Sequence, residues 1–114
     1  MDFGAVLGVI VTAAVGIICI ALGIINSKGD VSSLHSYHRS RVKEEDLLPF
    51  GRTVGLGMII IGASIVVYSL LLLVTELCGI ITFATVGIII MAAGIIAGSI
   101  IMFYAMKKYN GGIF

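Results

Sequence analysis

The chain has 114 residues, of which 60% are hydrophobic and 11% are charged, and its formal net charge is +1. Because soluble domains carry about 25% charged residues, this composition excludes an ordinary soluble globular protein and indicates a membrane protein. The length allows one domain and is too short for a typical enzyme fold with a separate cofactor site.

Three runs without an acidic or basic residue predict three transmembrane spans, at residues 3–25, 53–75 and 79–106. At about 1.5 Å per residue, a helix of each length exceeds the roughly 30 Å hydrocarbon core of a bilayer. The runs are continuously apolar, whereas barrel strands would be short and alternate in polarity, so we predict an all-α membrane protein. A cleaved signal peptide is disfavoured for the first run, because Asp2 and no basic residue precede it.

The distribution of charge predicts how the spans are oriented. Only a short segment around Glu76 separates the second and third spans, which predicts a hairpin at the water boundary. Positively charged loops stay in the cytoplasm, so we predict an outside N-terminus, a cytoplasmic loop at 26–52 and a cytoplasmic C-terminus. Residues 1–114 would form a single integral membrane domain. The basic residues behind this prediction are Lys28, Arg39, Arg41, Lys43, Arg52, Lys107 and Lys108.

Small residues recur at helical spacing in all three spans, and small residues let membrane helices approach closely. In the second span, Gly55, Gly62 and Ser69 are spaced by seven residues. Two interpretations stay open: the glycines pack the three helices of one chain, or a stripe of them joins copies in a homo-oligomer. The candidate packing residues are Gly4, Gly8, Gly16, Gly23, Gly55, Gly62, Gly87, Gly94 and Gly98.

The spans contain no acidic or basic side chain, which disfavours a proton-coupled pump or exchanger. Their hydroxyl groups can bond to carbonyls of their own helices. Cys19 and Cys78 would be separated by most of the bilayer, too far for a disulfide within one chain, although Cys78 could join two chains.

The predicted loop holds most of the polar chemistry. Val31, Leu34, His38 and Val42 are spaced by three, four and four residues, which predicts a short amphipathic helix along anionic lipid headgroups. The 49–51 segment, Pro-Phe-Gly, predicts the turn into the second span, because proline is favoured in the first turn of a helix. The candidate residues for contact with a partner or lipid are His35, Tyr37, His38, Arg39, Arg41, Lys43, Glu44, Glu45, Asp46 and Arg52, the last as an interfacial anchor.

The two histidines do not predict a metal centre or an active site. His35 and His38 have a spacing that metal ligands use, but a structural zinc site needs four ligands and no cysteine is near. Ser36 lies beside them without a third group to orient a base. We therefore expect no catalytic residue, no metal, no cofactor and no nucleic-acid partner.

The segment from Lys43 to Arg52, followed by the glycine-rich run from Thr53 to Gly62, resembles a family of small bacterial multi-pass membrane proteins. That family is known only as a domain of unknown function, and the resemblance covers about residues 6–68. It implies a bacterial cell membrane, an N-terminal span, a short acidic loop, a basic residue and a glycine-rich second span. Residues 29–32 read Gly-Asp-Val-Ser where a tetrapeptide like Gly-Tyr-Asn-Thr is expected, and the resemblance implies no catalytic residue.

Two functional classes follow from these features. The first is a small membrane interaction protein, such as an accessory subunit, an immunity or resistance factor, or a regulator, with residues 32–52 as its cytoplasmic contact surface. The alternative is a homo-oligomeric channel or small-solute transporter built from several three-helix chains. In that case polar side chains of the first and third spans would face a pore, namely Thr12, Thr82, Thr85 and Ser99.

Overall fold

The computed structural model describes residues 2–28 and 47–110. They form three α-helices: α1 at Phe3–Ser27, α2 at Leu47–Cys78 and α3 at Thr82–Asn110. The described residues include no strand. The predicted all-α fold with three membrane-length helices is confirmed.

Length and surface chemistry make this a multi-pass membrane protein. The helices have 25, 32 and 29 residues, and even the shortest is about 38 Å long, which exceeds a hydrocarbon core of about 30 Å. Large apolar side chains cover their outer surfaces; Ile17 is 60% exposed and Ile89 is 64% exposed. Such an extensive apolar surface is unfavourable in water and favourable against lipid.

Helix α2 begins six residues before the predicted span, so residues 49–51 are helical rather than a turn, although Pro49 lies in the first helical turn as expected. Pro49 lies in the first turn of α2, where its missing N–H removes no hydrogen bond because the first four amide groups of a helix lack partners within it. Arg52 is likewise helical. Asn26 and Ser27, which were predicted to lie in the loop, belong to α1. The uncharged runs marked the apolar core of each helix rather than its ends.

The N-terminus of α1 is capped by a side chain. Asp2 has an extended backbone, and its carboxylate accepts a hydrogen bond of 2.7 Å from the amide of Ala5. A capping carboxylate satisfies one of the free amide groups and interacts favourably with the helix dipole. This cap therefore fixes the start of α1 at Phe3.

Residues 79–81 connect α2 to α3, close to the predicted hairpin. Gly79 has a φ of +74° and donates a backbone hydrogen bond of 2.7 Å to the carbonyl of Thr75. A left-handed glycine after the last helical residue is a common helix stop, since other residues adopt that conformation at a cost. The chain therefore reverses within three residues.

Thr75 also provides the N-terminal cap of α3. The residue before α3 is Ile81, whose side chain has no acceptor, and the Thr75 hydroxyl accepts a 2.8 Å hydrogen bond from the Ala84 amide instead. Both residues of this bond are buried, so water does not compete for the amide. One threonine thus couples the end of α2 to the start of α3.

Replacing Thr75 by valine is expected to destabilise the hairpin by about 1–2 kcal/mol, because the isosteric side chain leaves the Ala84 amide without its acceptor. Thr85→Val is the matched control, since the exposed Thr85 hydroxyl donates only to the Ile81 carbonyl near its own helix. Thermal unfolding in detergent, followed by the reaction of the half-buried Cys19 thiol with a fluorogenic maleimide in a Cys78→Ser background, measures both. Equal shifts for the two variants would contradict the capping role.

Candidate functional site

The α1–α2 interface is built on two pairs of facing glycines. A Cβ atom at Gly16 would lie 2.9 Å from the carbonyl oxygen of Gly62, and one at Gly62 would lie 2.6 Å from that of Gly16. About two helical turns further along α1, a Cβ atom at Gly23 would lie 2.7 Å from the carbonyl oxygen of Gly55. These distances are far below ordinary contact, so any side chain here forces the two backbones apart.

The third contact of this interface is a hydrogen bond between helices. The hydroxyl of Ser69 is buried and donates a 2.9 Å hydrogen bond to the carbonyl of Val9. Ser69 follows Gly62 by seven residues, just as Val9 precedes Gly16 by seven. The seven-residue spacing in α2 therefore follows one face, which lies against antiparallel α1.

The α2–α3 interface uses a different set of small residues. A Cβ atom at Gly57 would lie 2.7 Å from the carbonyl oxygen of Gly98, and one at Gly94 would overlap the side chain of Ser64. Nearer the hairpin, a Cβ atom at Gly87 would lie 3.2 Å from Leu71 Cβ. The small stripe of the third span thus contacts α2 of the same chain.

The two interfaces lie on nearly opposite sides of α2. Gly55 and Gly62 contact α1, whereas Gly57 and Ser64, each two residues further along, contact α3. At 3.6 residues per turn, positions two residues apart project about 200° apart. Within the part of the chain that the structure describes, α2 packs extensively against each neighbour, whereas α1 and α3 do not pack extensively against each other. The middle helix therefore separates the outer two.

Seven of the nine glycines proposed for helix packing lie in these interfaces, and two do not. Gly8 is half-buried, with only an ordinary contact 3.9 Å away from Leu72, and Gly4 is exposed. Both lie in the first two turns of α1. The close glycine contacts of α1 therefore begin at Gly16 and continue toward its C-terminal end.

The hydroxyl groups proposed to line a pore do not converge. Thr12 donates to the carbonyls of Gly8 and Val9 in its own helix, at 2.7 and 3.2 Å. Thr82 and Thr85 are exposed in the first turn of α3, where the Thr85 hydroxyl donates to the Ile81 carbonyl. Ser99 is half-buried on the same helix. Because α2 lies between α1 and α3, these side chains line no shared path within one chain.

The opposite end of the molecule from Asp2 and the hairpin holds an apolar cluster. Phe50, Val54 and Ala105 have no exposed surface, and the Phe50 ring meets that of Tyr109 edge-to-face, with centroids 6.3 Å apart. Such aromatic pairs add about 0.5–1.5 kcal/mol to the burial of their surface. Further members pack around this core, namely Met58, Met102 and Met106.

Sequence reasoning missed this cluster because Phe50 was assigned to a turn. A signal was present: Phe50, Gly57 and Ser64 are spaced by seven residues, as are the residues that contact α1. Extending that second period toward the N-terminus places Phe50 on the α3-facing side of α2.

Asn26 was also missed, since polar residues after an apolar run are usually taken as loop. It is 0% exposed, and its side-chain amide donates a 3.1 Å hydrogen bond to the Met58 sulfur of α2. A buried amide in a membrane protein acts as a bridge between helices, because the hydrocarbon offers no other partners. Asn26 therefore joins α1 to the apolar cluster.

All described basic residues lie at this same end, which we call the basic end: Lys28, Arg52, Lys107 and Lys108. Each of the four is exposed. The described acidic residues, Asp2 and Glu76, lie at the other end, which we call the acidic end. The remaining contact candidates, His35, Tyr37, His38, Arg39, Arg41, Lys43, Glu44, Glu45 and Asp46, lie outside the described residues.

The described residues contain no group of three or more His, Cys, Asp or Glu side chains that could hold a metal ion. Cys19 is half-buried within α1, and Cys78 is exposed at the end of α2, where its thiol donates to the Val74 carbonyl. Neither cysteine is in a disulfide.

No family model, curated protein or solved structure shows a significant match to the chain. The resemblance to a family of small bacterial membrane proteins therefore stays a prediction. What the molecule does has to be inferred from its own geometry.

Proposed function

We propose that the chain is a small integral membrane interaction protein: an accessory subunit, an immunity or resistance factor, or a regulator. It binds a partner membrane protein through the outer surfaces of its helices and through the segment at 29–46. It lies in a bacterial plasma membrane with its N-terminus outside and its basic end in the cytoplasm. Nucleic acid and catalysis play no part in this proposal.

The observation that carries the proposal is the use of the glycines. Gly16, Gly23, Gly55 and Gly62 are occupied in the α1–α2 contact, and Gly98 faces Gly57 of the same chain. Stripes engaged in this way are not free to form a second, close contact with another copy. This weakens the alternative of a homo-oligomeric channel, which relied on the same stripes for assembly.

The charge distribution supports the orientation and the contact surface. Lys28 and Arg52 flank the 29–46 segment, and Lys107 and Lys108 end α3 on the same side. An excess of basic residues marks the cytoplasmic side of a membrane protein. The 29–46 segment adds three basic residues, three acidic residues besides Asp30, and two histidines, a density of polar groups suited to recognising a protein or anionic headgroups.

The proposal is tested by native mass spectrometry of the tagged full chain, extracted gently from its own membrane. We compare the natural chain with a loop variant in which residues 35–46 are replaced by an equally long Gly/Ser segment. A stoichiometric companion protein that is present with the natural chain and lost with the loop variant is the expected result. Unchanged Tm of the variant, read from Cys19 reactivity, shows that the helices still pack.

A discrete homo-oligomer without a companion protein would overturn the proposal and favour the channel or transporter. A companion that is retained by the loop variant would move the contact surface from the loop to the helices. A reporter fused after Phe114 that is found outside the cell would refute the orientation.

A further inference from the structure

An open cavity lies at the C-terminal end of α3, on the outside of the basic end. Its volume is about 340 Å³, its wall is mostly apolar, and it is lined by Tyr104, Lys107 and Lys108. All three side chains are exposed, so the cavity opens to the surroundings of the helices rather than to the apolar cluster.

Two aromatic rings position the ammonium group of Lys108. Its Nζ atom lies 5.8 Å from the ring centroid of Tyr104 and 5.3 Å from that of Tyr109. Both distances are within the roughly 6 Å over which a ring face attracts a cation. The Tyr109 ring itself packs against Phe50 of α2, so one of the two rings near the ammonium group is part of the contact between α2 and α3.

The two lysines have no acidic partner among residues 2–28 and 47–110. The acidic residues in those ranges, Asp2 and Glu76, lie at the acidic end. Lys28 and Arg52 add further positive charge at the basic end. The described part of the basic end is therefore positively charged, which favours the binding of an anion at the cavity.

The position of the cavity along α3 matches the headgroup level of a bilayer. A helix of 29 residues is about 43 Å long and extends beyond a hydrocarbon core of about 30 Å. Lysine and tyrosine are the residues that place a charged or hydroxyl tip at the interface while their carbon atoms stay against apolar chains. The last turn of α3 has this character.

We propose that the cavity formed by Tyr104, Lys107 and Lys108 binds the phosphate headgroup of an anionic phospholipid. The ammonium groups of the two lysines contact the phosphate, and the apolar wall contacts the glycerol and the first carbons of an acyl chain. Lysine residues next to the cytoplasmic end of a membrane helix attract anionic headgroups electrostatically. The residues assigned to this site differ from those of the proposed protein-contact segment at 29–46.

The test uses native mass spectrometry of the full chain in micelles that contain equal amounts of phosphatidylglycerol and phosphatidylcholine. The double variant Lys107→Gln/Lys108→Gln is compared with Lys28→Gln/Arg52→Gln, which removes the same charge from the same end outside the cavity. We expect the first to lower the bound phosphatidylglycerol about tenfold, and the second to lower it less than about threefold. Tyr104→Leu keeps the apolar wall, removes the ring and is expected to lower binding by about two- to fivefold.

Equal losses in the two double variants would overturn the proposal, because the attraction would then be diffuse. Equal binding of the two lipids by the natural chain would also overturn it. Inorganic phosphate in large excess is expected to leave the lipid bound, and displacement by phosphate alone would identify a free anion rather than a headgroup as the ligand. All exchanged side chains are exposed, so the Tm of each variant is expected to stay unchanged.

Discussion

Replacing Gly62 by leucine is expected to separate α1 from α2 and to lower the Tm by at least about 10 °C. The new Cβ atom would lie 2.6 Å from the carbonyl oxygen of Gly16 and 2.9 Å from the backbone nitrogen of Ile20. Neither backbone atom can move without its helix, so the whole interface opens and the Gly23–Gly55 contact is lost with it. Overpacking commonly costs about 1–3 kcal/mol, and backbone contacts place this site at the upper limit.

The matched control is Ala63→Leu, because Ala63 is the next residue of α2 and is exposed. It adds a leucine to the same helix with no helix behind it, and its Tm is expected to stay within a few degrees of that of the natural chain. Gly62→Ala should fall between the two, since it introduces the clashing Cβ atom alone. Unfolding is followed by the reactivity of Cys19 in a Cys78→Ser background. Indistinguishable midpoints for Gly62→Leu and Ala63→Leu would refute the glycine contact.

Replacing Gly98 by leucine is expected to detach α3 from α2 with a loss of similar size. A Cβ atom at Gly98 would overlap the side chain of Ile61. The facing Gly57 offers no free space either, because a Cβ atom placed there would meet Gly98 and Met102. Because the contact is within one chain, the fall in Tm is expected to be the same at low and high protein concentration. An interface between copies would make the Tm depend on concentration.

Ala97→Leu serves as the control, since Ala97 is exposed on the same turn of α3. Detachment is measured by the thiol reactivity of a Ser99→Cys variant in a background without Cys19 and Cys78. Ser99 is half-buried beside Gly98 and becomes accessible when α3 leaves. If Gly98→Leu instead produced stable monomers from an oligomer, this glycine would belong to a contact between chains and the channel alternative would gain support.

These two variants also separate the functional classes. A chain whose glycines act internally loses stability when they are replaced, and it loses function only as a consequence. The residues that line the cavity, Tyr104, Lys107 and Lys108, are not among the nearest contacts of the glycines in either interface. Selective loss of a partner or of bound lipid at unchanged Tm is therefore the signature of the proposed interaction surfaces.

The helix ends show where sequence reasoning was insufficient. The sequence predicts that the second span begins at residue 53, yet α2 begins at Leu47 and includes residues 49–51, which were expected to form a turn. A charge marks where the hydrocarbon ends, and a helix continues beyond it because its backbone hydrogen bonds do not depend on lipid. The buried positions of Phe50 and Asn26 were not predicted for the same reason, since both residues lie beyond the uncharged runs.

The sequence by itself determined the number, type and approximate position of the membrane helices. Length against bilayer thickness and the cost of charge in hydrocarbon are properties of each segment alone, so no knowledge of neighbouring helices was needed. The same holds for the position of the basic residues, which all lie outside the three spans and on the same predicted side of them. The seven-residue spacing of Gly55, Gly62 and Ser69 could also be read directly.

Only the tertiary structure decided which helix each small stripe contacts. Glycines in membrane helices are compatible with contacts inside a chain and between chains, because both depend on close backbone approach and not on sequence distance. The placement of Gly57 and Ser64 toward α3, two residues from Gly55 and Gly62, assigns opposite sides of α2 to its two neighbours. Pairing between helices is a property of the assembled backbones, and this is why the sequence left it open.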